Sequence, residues 1–146
     1  MARWLGIDYG ERRIGLALGD PAERIASPAA TLDGTGTASG NARRVLQWAA
    51  ENDVAAAVVG LPINMDGSLG PQAKRSQEFA QQLRNLGNLP VELWDERLSS
   101  FQADQFMRAA ILSRSKRRKR RDALAAQVIL QSFLDARRAA NRPPEE

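Results

Sequence analysis

Two short apolar runs joined by a tight polar turn open the chain, and they constrain its fold more than any other stretch. Residues 3–7 read as a buried strand and Ile14 to Leu18 as its antiparallel return. Tyr9 to Arg12 is the turn between them, with Gly10 free to take a positive φ. Asp8 therefore stands at the exit of an apolar strand, where an unpaired carboxylate is costly once desolvated. Such a residue is paired, caps a turn or holds a cation. An Asx turn would satisfy Asp8 as well as a cation would, and the rest of the chain has to choose between them.

Taken in order, the chain alternates strand and helix. Ile25 to Leu32 reads as a third antiparallel strand, with Pro28 favouring an edge position. Asp33 to Gly40 is a loop by composition, and from Asn41 the residues Ala42, Val45, Leu46, Ala49 and Ala50 follow helical spacing. Val54 to Val59 is the continuous apolar run of a parallel strand covered on both faces. A long loop, Gly60 to Pro71, leaves it. Gln72 to Leu86 follows as a helix stopped by Gly87 and Pro90, then Val91 to Trp94 as a short strand. Ser99 or Ser100 can cap a helix running to about Ala110, and Asp122 to Arg138 forms the last helix.

The pattern predicts an α/β domain over 1–138 with a tail at 139–146. Its mixed five-stranded sheet has three antiparallel strands followed by parallel ones, with helices on both faces. Parallel strands carry functional loops at their carboxyl ends, so the exits after Asp8, Val59 and Trp94 should gather at one edge.

Composition narrows the chemistry. The 146 residues contain no cysteine and no histidine. That removes disulfides, thiolate sites, imidazole acid–base catalysis and histidine-bound zinc. What remains is carboxylates, Lys/Arg, hydroxyls and oxygen-loving ions such as Mg²⁺ or Mn²⁺. The missing cysteines suit a reducing cytoplasm. The N-terminus carries Arg3, Asp8, Glu11, Arg12 and Arg13 with no apolar signal region, and the longest apolar stretch, around Val54 to Ile63, is too short for a membrane span.

Charge is unevenly spread. The formal net charge is +4, yet seven of the 21 basic residues fall between Arg114 and Arg121. The other 14 face 17 acids, which leaves −3. A mildly acidic body thus carries one strongly basic segment.

Three acids occupy comparable positions. Asp8 leaves the first strand, Glu96 the last, and Asp122 opens the final helix. On that helix Asp122, Ala126, Ile129 and Phe133 share a face, and Ala125 and Ala126 are small enough to let it lie close to the sheet. Taken singly, Asp122 is an acid favoured by the helix dipole and Glu96 a partner for Arg97 or Arg13. Three carboxylates converging on one edge repel each other, and a hard divalent cation is their natural partner. Two such ions about 4 Å apart can align the attacking water and leaving oxygen of a phosphodiester.

Gly6-Ile-Asp8-Tyr-Gly10, Arg13-Ile-Gly15-Leu-Ala17 and Asp20 resemble the opening of the YqgF/RuvX family, which is linked to Holliday junction resolution and pre-16S ribosomal RNA cleavage. So do Val58-Val-Gly60-Leu-Pro62 with Asn64 and Gly67, Asp95-Glu96-Arg97-Leu-Ser-Ser100, and Asp122-Ala-Leu-Ala-Ala126 with Ile129-Leu. One block alone would be weak, because Gly-x-Asp-x-Gly also opens two-domain sugar kinases and actin-like ATPases. Four in order across residues 4–134 are specific. The resemblance implies an RNase H-like fold, with Asp8, Glu96 and Asp122 as catalytic and metal-binding acids. Two departures stand out. Ala125 and Ala126 lie where related nucleases carry a fourth acid, which puts a second metal in doubt, and Ser99-Ser100 replaces a frequent threonine.

Supporting residues surround the triad. Arg13 suits a phosphate by its bidentate fork, or an ion pair to Asp20 or Glu96. Asn64 suits sugar or phosphate, or turn chemistry alone. Arg97 and Ser99 orient Glu96 or start a helix, while Gly6, Gly10, Gly15, Gly60 and Pro62 shape the backbone. The run Arg114, Lys116, Arg117, Arg118, Lys119, Arg120 and Arg121 is either a solvated loop or a nucleic-acid contact whose strength falls with salt. It contains no aromatic residue for stacking, so backbone contact is expected rather than sequence readout.

These readings converge on a metal-dependent nuclease for structured RNA, at the 5′ end of precursor small-subunit rRNA. Branched DNA is the rival substrate, and a non-catalytic RNA-binding or transcription-associated protein the rival class. No membrane partner is expected, and the chain should be a monomer or weak homodimer.

Overall fold

The computed structural model describes residues 3–20, 22, 24–99 and 118–140. Strands β1 (Arg3–Tyr9) and β2 (Arg13–Asp20) form the opening hairpin, with Asp8 opposite Gly15. Among the described glycines, Gly36 and Gly67 have positive φ and Gly10 does not. Gly10 is required sterically instead: its N–H donates to the Arg13 carbonyl at 3.1 Å, and a Cβ would lie 2.7 Å from that oxygen.

Strand β3 (Ile25–Asp33) pairs antiparallel with β2 and forms one edge of the sheet. Pro28 sits there, where a missing N–H costs least, and the ladder shifts register between Leu16 and Ala17. Helix α1 (Ala38–Glu51) begins before Asn41 because the Thr37 hydroxyl accepts from Gly40 N, capping the first turn. Strand β4 (Val54–Leu61) lies parallel to β1, and helix α2 (Pro71–Leu86) places Pro71 in its first turn. Gly87 ends α2 in extended backbone, where a Cβ would lie 2.5 Å from Leu46 on α1. Strand β5 (Val91–Asp95) is parallel to β4 and runs into a short 3₁₀ turn, Glu96–Ser99.

The sheet order is β3-β2-β1-β4-β5, so the expected mixed sheet is present. The exits of β1, β4 and β5 do share one edge, because the three strands are parallel. The helix expected from Ser99 to Ala110 falls outside the described residues. Helix α3 (Arg118–Ala140) starts four residues before Asp122, so Asp122 sits in the second turn and the dipole reading of that acid fails. Among the described residues no helix is long and apolar enough to cross a membrane.

Alternation along each strand sends residues to two different layers. One face packs Leu5, Ile7, Ile14, Leu16 and Val59 against α1 and α2 through Val45, Phe79 and Leu83. The other packs Ala17 and Val58 against α3 through Ala126, Ile129, Leu130 and Phe133. Each fully buried large apolar side chain is worth about 1.5–3 kcal/mol. Trp94 and Phe133 meet edge-on at 5.5 Å, and Trp94 Nε1 donates to Ser132 Oγ at 3.0 Å.

Candidate active site

Asp8 shares its side of β1 with Trp4 and Gly6, the side that α3 covers. The helix rests there because the strands beneath it carry glycine. A Cβ on Gly6 would lie 2.6 Å from Leu130 Cβ and 2.8 Å from the Ala126 carbonyl. One on Gly15 would collide with the Asp122 carbonyl, and one on Gly60 would lie 2.5 Å from Ile129 Cδ1. These approaches are closer than packed atoms tolerate. Ala126 contributes to the close fit as expected, being fully buried. The glycines of β1, β2 and β4 are the larger cause, and through Gly15 they bring the Asp122 turn of α3 over the end of β1.

The three acids do not form one symmetric cluster. Burial pushes the Asp8 carboxyl up to about 6, and the charge of Asp122 adds to the effect. Glu96 is pushed up to about 7, first by burial and then by the charges of Asp8 and Asp95. Asp8 is therefore the centre, repelled by Asp122 on the β2 side and by Glu96 on the β4 side. Glu96 stands over Gly60, where a Cβ would lie 3.1 Å from its Oε2. Among the described residues no three acidic side chains stand in an arrangement that could hold a metal ion.

Asp122 instead accepts from Arg13 Nε at 2.7 Å, with both side chains largely covered. Sequence reasoning offered Asp20 and Glu96 as partners for Arg13. The structure gives it Asp122, because residues 13 and 15 of β2 point to the same face and α3 crosses there.

The donor set is all oxygen. Carboxylates without nitrogen or sulfur suit Mg²⁺ or Mn²⁺, and the unfavourable charging of Asp8 and Glu96 is what a cation relieves. In donor chemistry the residues present thus fit a hard divalent ion, while in the geometry seen Asp122 is turned to Arg13 and the three acids do not close around one point. A cavity of about 300 Å³ opens beside Asp8 and Asp122, lined also by Arg12, Arg13, Gln72 and the Tyr9–Glu11 turn but not by Glu96. It can admit a phosphate with its sugar.

Other expected site residues are placed differently. Asn64 closes its own loop: Nδ2 donates to Ser68 Oγ at 3.0 Å, and its main-chain carbonyl accepts from Gly67 N at 2.8 Å. Arg97 forks onto Asp95, with Nη2 to Oδ2 at 2.8 Å and Nε to both oxygens, so its charge is spent beside Glu96. Pro62 follows β4 directly, and Ser99 ends the 3₁₀ turn. Arg114, Lys116 and Arg117 fall outside the described residues. Arg118, Lys119, Arg120 and Arg121 form the first turn of α3, so that part of the basic run is helix rather than loop, and Arg120 is exposed.

Sequence reasoning missed Arg12 and Gln72. Arg12 lies next to Arg13 in the turn, and that adjacency was a usable signal. Gln72 gave none, being one polar residue at a helix start and 63 positions from Tyr9, whose carbonyl it contacts.

Comparison with known proteins agrees with this geometry. A relative from Pelotomaculum thermopropionicum, named "Putative pre-16S rRNA nuclease", is 42% identical over 99% of this chain and 92% of its own length. A relative of the same name from Anaeromyxobacter dehalogenans is 46% identical over 92% of this chain and 98% of its own. Among solved structures, Thermus thermophilus RuvC in complex with a Holliday junction substrate superposes with a TM-score of 0.62 at 15% identity, covering 99% of this chain and 100% of that one. That likeness shows the shared RNase H-like fold. The family profile described as "RuvX: Holliday junction resolvase" matches residues 2–136. With that span covered and relatives above 40% identity along nearly their whole length, the chain belongs to the RuvX family.

Proposed function

We propose that this protein is a divalent-cation-dependent nuclease that hydrolyses phosphodiester bonds in structured RNA, with the 5′ end of pre-16S rRNA as its substrate. The observation that carries the reading is Asp8: a carboxylate at a parallel-strand exit, buried and beside Asp122 so that charging it is unfavourable, with Glu96 in turn disfavoured by burial and by the Asp8 charge. The names of the relatives supply the RNA.

Asp8, Glu96 and Asp122 would hold the cation, Mg²⁺ or Mn²⁺, once Asp122 is released from Arg13 and the acids draw together. When bound, it supplies compensation for the negative charge that builds on the attacked phosphate. Arg13 exchanges the Asp122 carboxylate for a phosphate oxygen, keeping a charge-assisted hydrogen bond in either position. Arg12, which lines the cavity and has no ion-pair partner among the described residues, holds a neighbouring phosphate. The basic run Arg114 to Arg121 attracts the nucleic-acid backbone through counterion release. Arg97 keeps Asp95 neutralised beside Glu96.

Branched DNA is the second reading, favoured by the description of the family profile. It requires two sites facing two strands, hence a homodimer. The test is direct. Purified protein with Mg²⁺ or Mn²⁺ is given a precursor rRNA 5′ fragment or a four-way DNA junction, alongside Asp8→Asn and Asp122→Asn. Cleavage of the RNA, lost in both variants, is expected. Cleavage surviving both substitutions sinks the acid assignment, junction cleavage alone selects the second reading, and binding without cleavage of either substrate makes the protein a non-catalytic binder.

A further inference from the structure

Gln72 is the second residue of α2 and lines the same cavity as Asp8, Arg13 and Asp122. Its Nε2 donates to the main-chain carbonyl of Tyr9, the residue next to Asp8, at 2.8 Å. Tyr9 is itself fixed: its ring stacks on Phe79 at 4.1 Å, and its buried hydroxyl accepts from Asn41 Nδ2 at 2.9 Å. Asn41 is held in turn, its Oδ1 accepting from Thr35 N at 2.7 Å. The Gln72 amide therefore has one satisfied orientation, nitrogen toward the carbonyl, since the reverse sets two oxygens against each other. That leaves Oε1, which has no partner among the described residues, as the polar group the side chain offers to the cavity.

The chemistry of the wall gives this oxygen a task. Asp8 and Asp122 are anionic acceptors suited to a cation, and Arg12 and Arg13 are donors suited to phosphate. Phosphate is common to RNA and DNA, so none of these four separates the two. The ribose 2′-hydroxyl is the group that does. A neutral acceptor, locked by its own second hydrogen bond and set beside phosphate-handling residues, matches a hydroxyl donor without burying another charge. We propose that Gln72 Oε1 accepts a hydrogen bond from the 2′-hydroxyl of a nucleotide bound at this site, and so makes Gln72 the residue that selects RNA. This rests on the nuclease reading above and deepens it by naming the sugar as the recognised group.

The test uses the full chain with Mg²⁺ and a precursor rRNA 5′ fragment, all-ribose or carrying single 2′-deoxy nucleotides stepped through the cleaved region. In the unaltered protein, one deoxy position should lower kcat/KM by about 5- to 10-fold, the worth of one net hydrogen bond. Gln72→Met should lose the same factor on the all-ribose RNA and show no further loss at that position. Gln72→Lys keeps a donor for the Tyr9 carbonyl but has no acceptor, so it should also erase the deoxy penalty while preserving the turn. Thermal melting of both variants checks the fold. A deoxy penalty that persists in both, or that appears at no position in the unaltered protein, overturns this inference alone. Failure of the unaltered protein to cleave any RNA overturns the nuclease reading and this inference with it.

Discussion

The two faces of the central sheet are built from the same strands and do opposite work. On the α1–α2 face, Leu5, Ile7, Ile14 and Leu16 meet Val45, Phe79 and Leu83 in a layer of large side chains. On the α3 face, the alternate positions of those strands are Gly6 and Asp8 on β1 and Arg13, Gly15 and Ala17 on β2. One face excludes water and supplies stability. The other gives up side-chain volume so that a helix can approach and hold charges together near the end of β1. The difference teaches that the site is a cost the first face must cover, because Asp8 and Glu96 are harder to charge in the fold than in water.

The largest effect should come from breaking the stabilising face. Leu83→Ala, at a fully buried position of α2 remote from Gln72, is expected to cost about 2–5 kcal/mol of unfolding free energy, by the transfer and cavity terms together. Urea denaturation measures it, and cleavage per folded molecule should stay near that of the unaltered chain. A protein that keeps its stability would show that this face is not the main core.

Asp8→Asn should do the reverse. Cleavage should fall at least ~100-fold, about 2.7 kcal/mol of transition-state stabilisation. Without added cation the melting temperature should rise at pH 8, because a disfavoured charge has been removed. A drop in melting temperature there would mean that Asp8 is stabilised by its surroundings, against the repulsion described.

Gly15→Ala tests the seat of α3. The added methyl meets the Asp122 carbonyl, and overpacking should cost about 1–3 kcal/mol while displacing Asp122 from Asp8. The expected signature is a loss of activity greater than the loss of stability explains. Equal losses would make Gly15 a packing residue only.

Acidity sharpens the contrast further. Asp8 and Glu96 have folded values raised above their ordinary 3.8 and 4.5, to about 6 and about 7. Their contribution to stability is fully present below about pH 4 and is lost as pH rises through 6 to 7. Cation-free protein should therefore lose stability between pH 5 and 8, and Mn²⁺ should restore more at pH 8 than at pH 5. Melting curves at both values, with and without Mn²⁺, give the answer. A cation effect independent of pH would count against binding by these carboxylates.

The smallest effect concerns the basic run. Replacing Arg117, Arg118, Lys119 and Arg120 with glutamine should flatten the salt dependence of RNA binding, by up to ~0.7 in log–log slope per lost phosphate contact on a single strand. An unchanged slope would leave the run as a solvated segment.

Much of the fold was legible because local chemistry and tertiary position agree. Pro28 required an edge and β3 is one; Pro71 and Gly87 bound α2; the opening apolar runs pair as a hairpin. The start of α3 was misplaced because a run of like charges reads as a repelling loop. Arg and Lys are nonetheless good helix formers, and the anchoring of Ala126, Ile129 and Leu130 carries the helix back to Arg118. Likewise residue type leaves Gly10 free to take a positive φ, whereas its actual constraint is the nearby Arg13 carbonyl.

By itself the sequence determined which residues carry charge, the five strands and the existence of the three described helices, and that the exits after Asp8 and Trp94 lie at the same edge, since strand period and parallel connections fix those outcomes locally. Tertiary structure alone decided that Arg13 pairs with Asp122, that Asp8 is the point at which the acids repel, and that Gln72 enters the same cavity. Those relations join residues 109, 114 and 63 positions apart or similarly distant along the chain. They arise from how closely α3 and α2 settle on the sheet, which depends on the volume of every side chain between them.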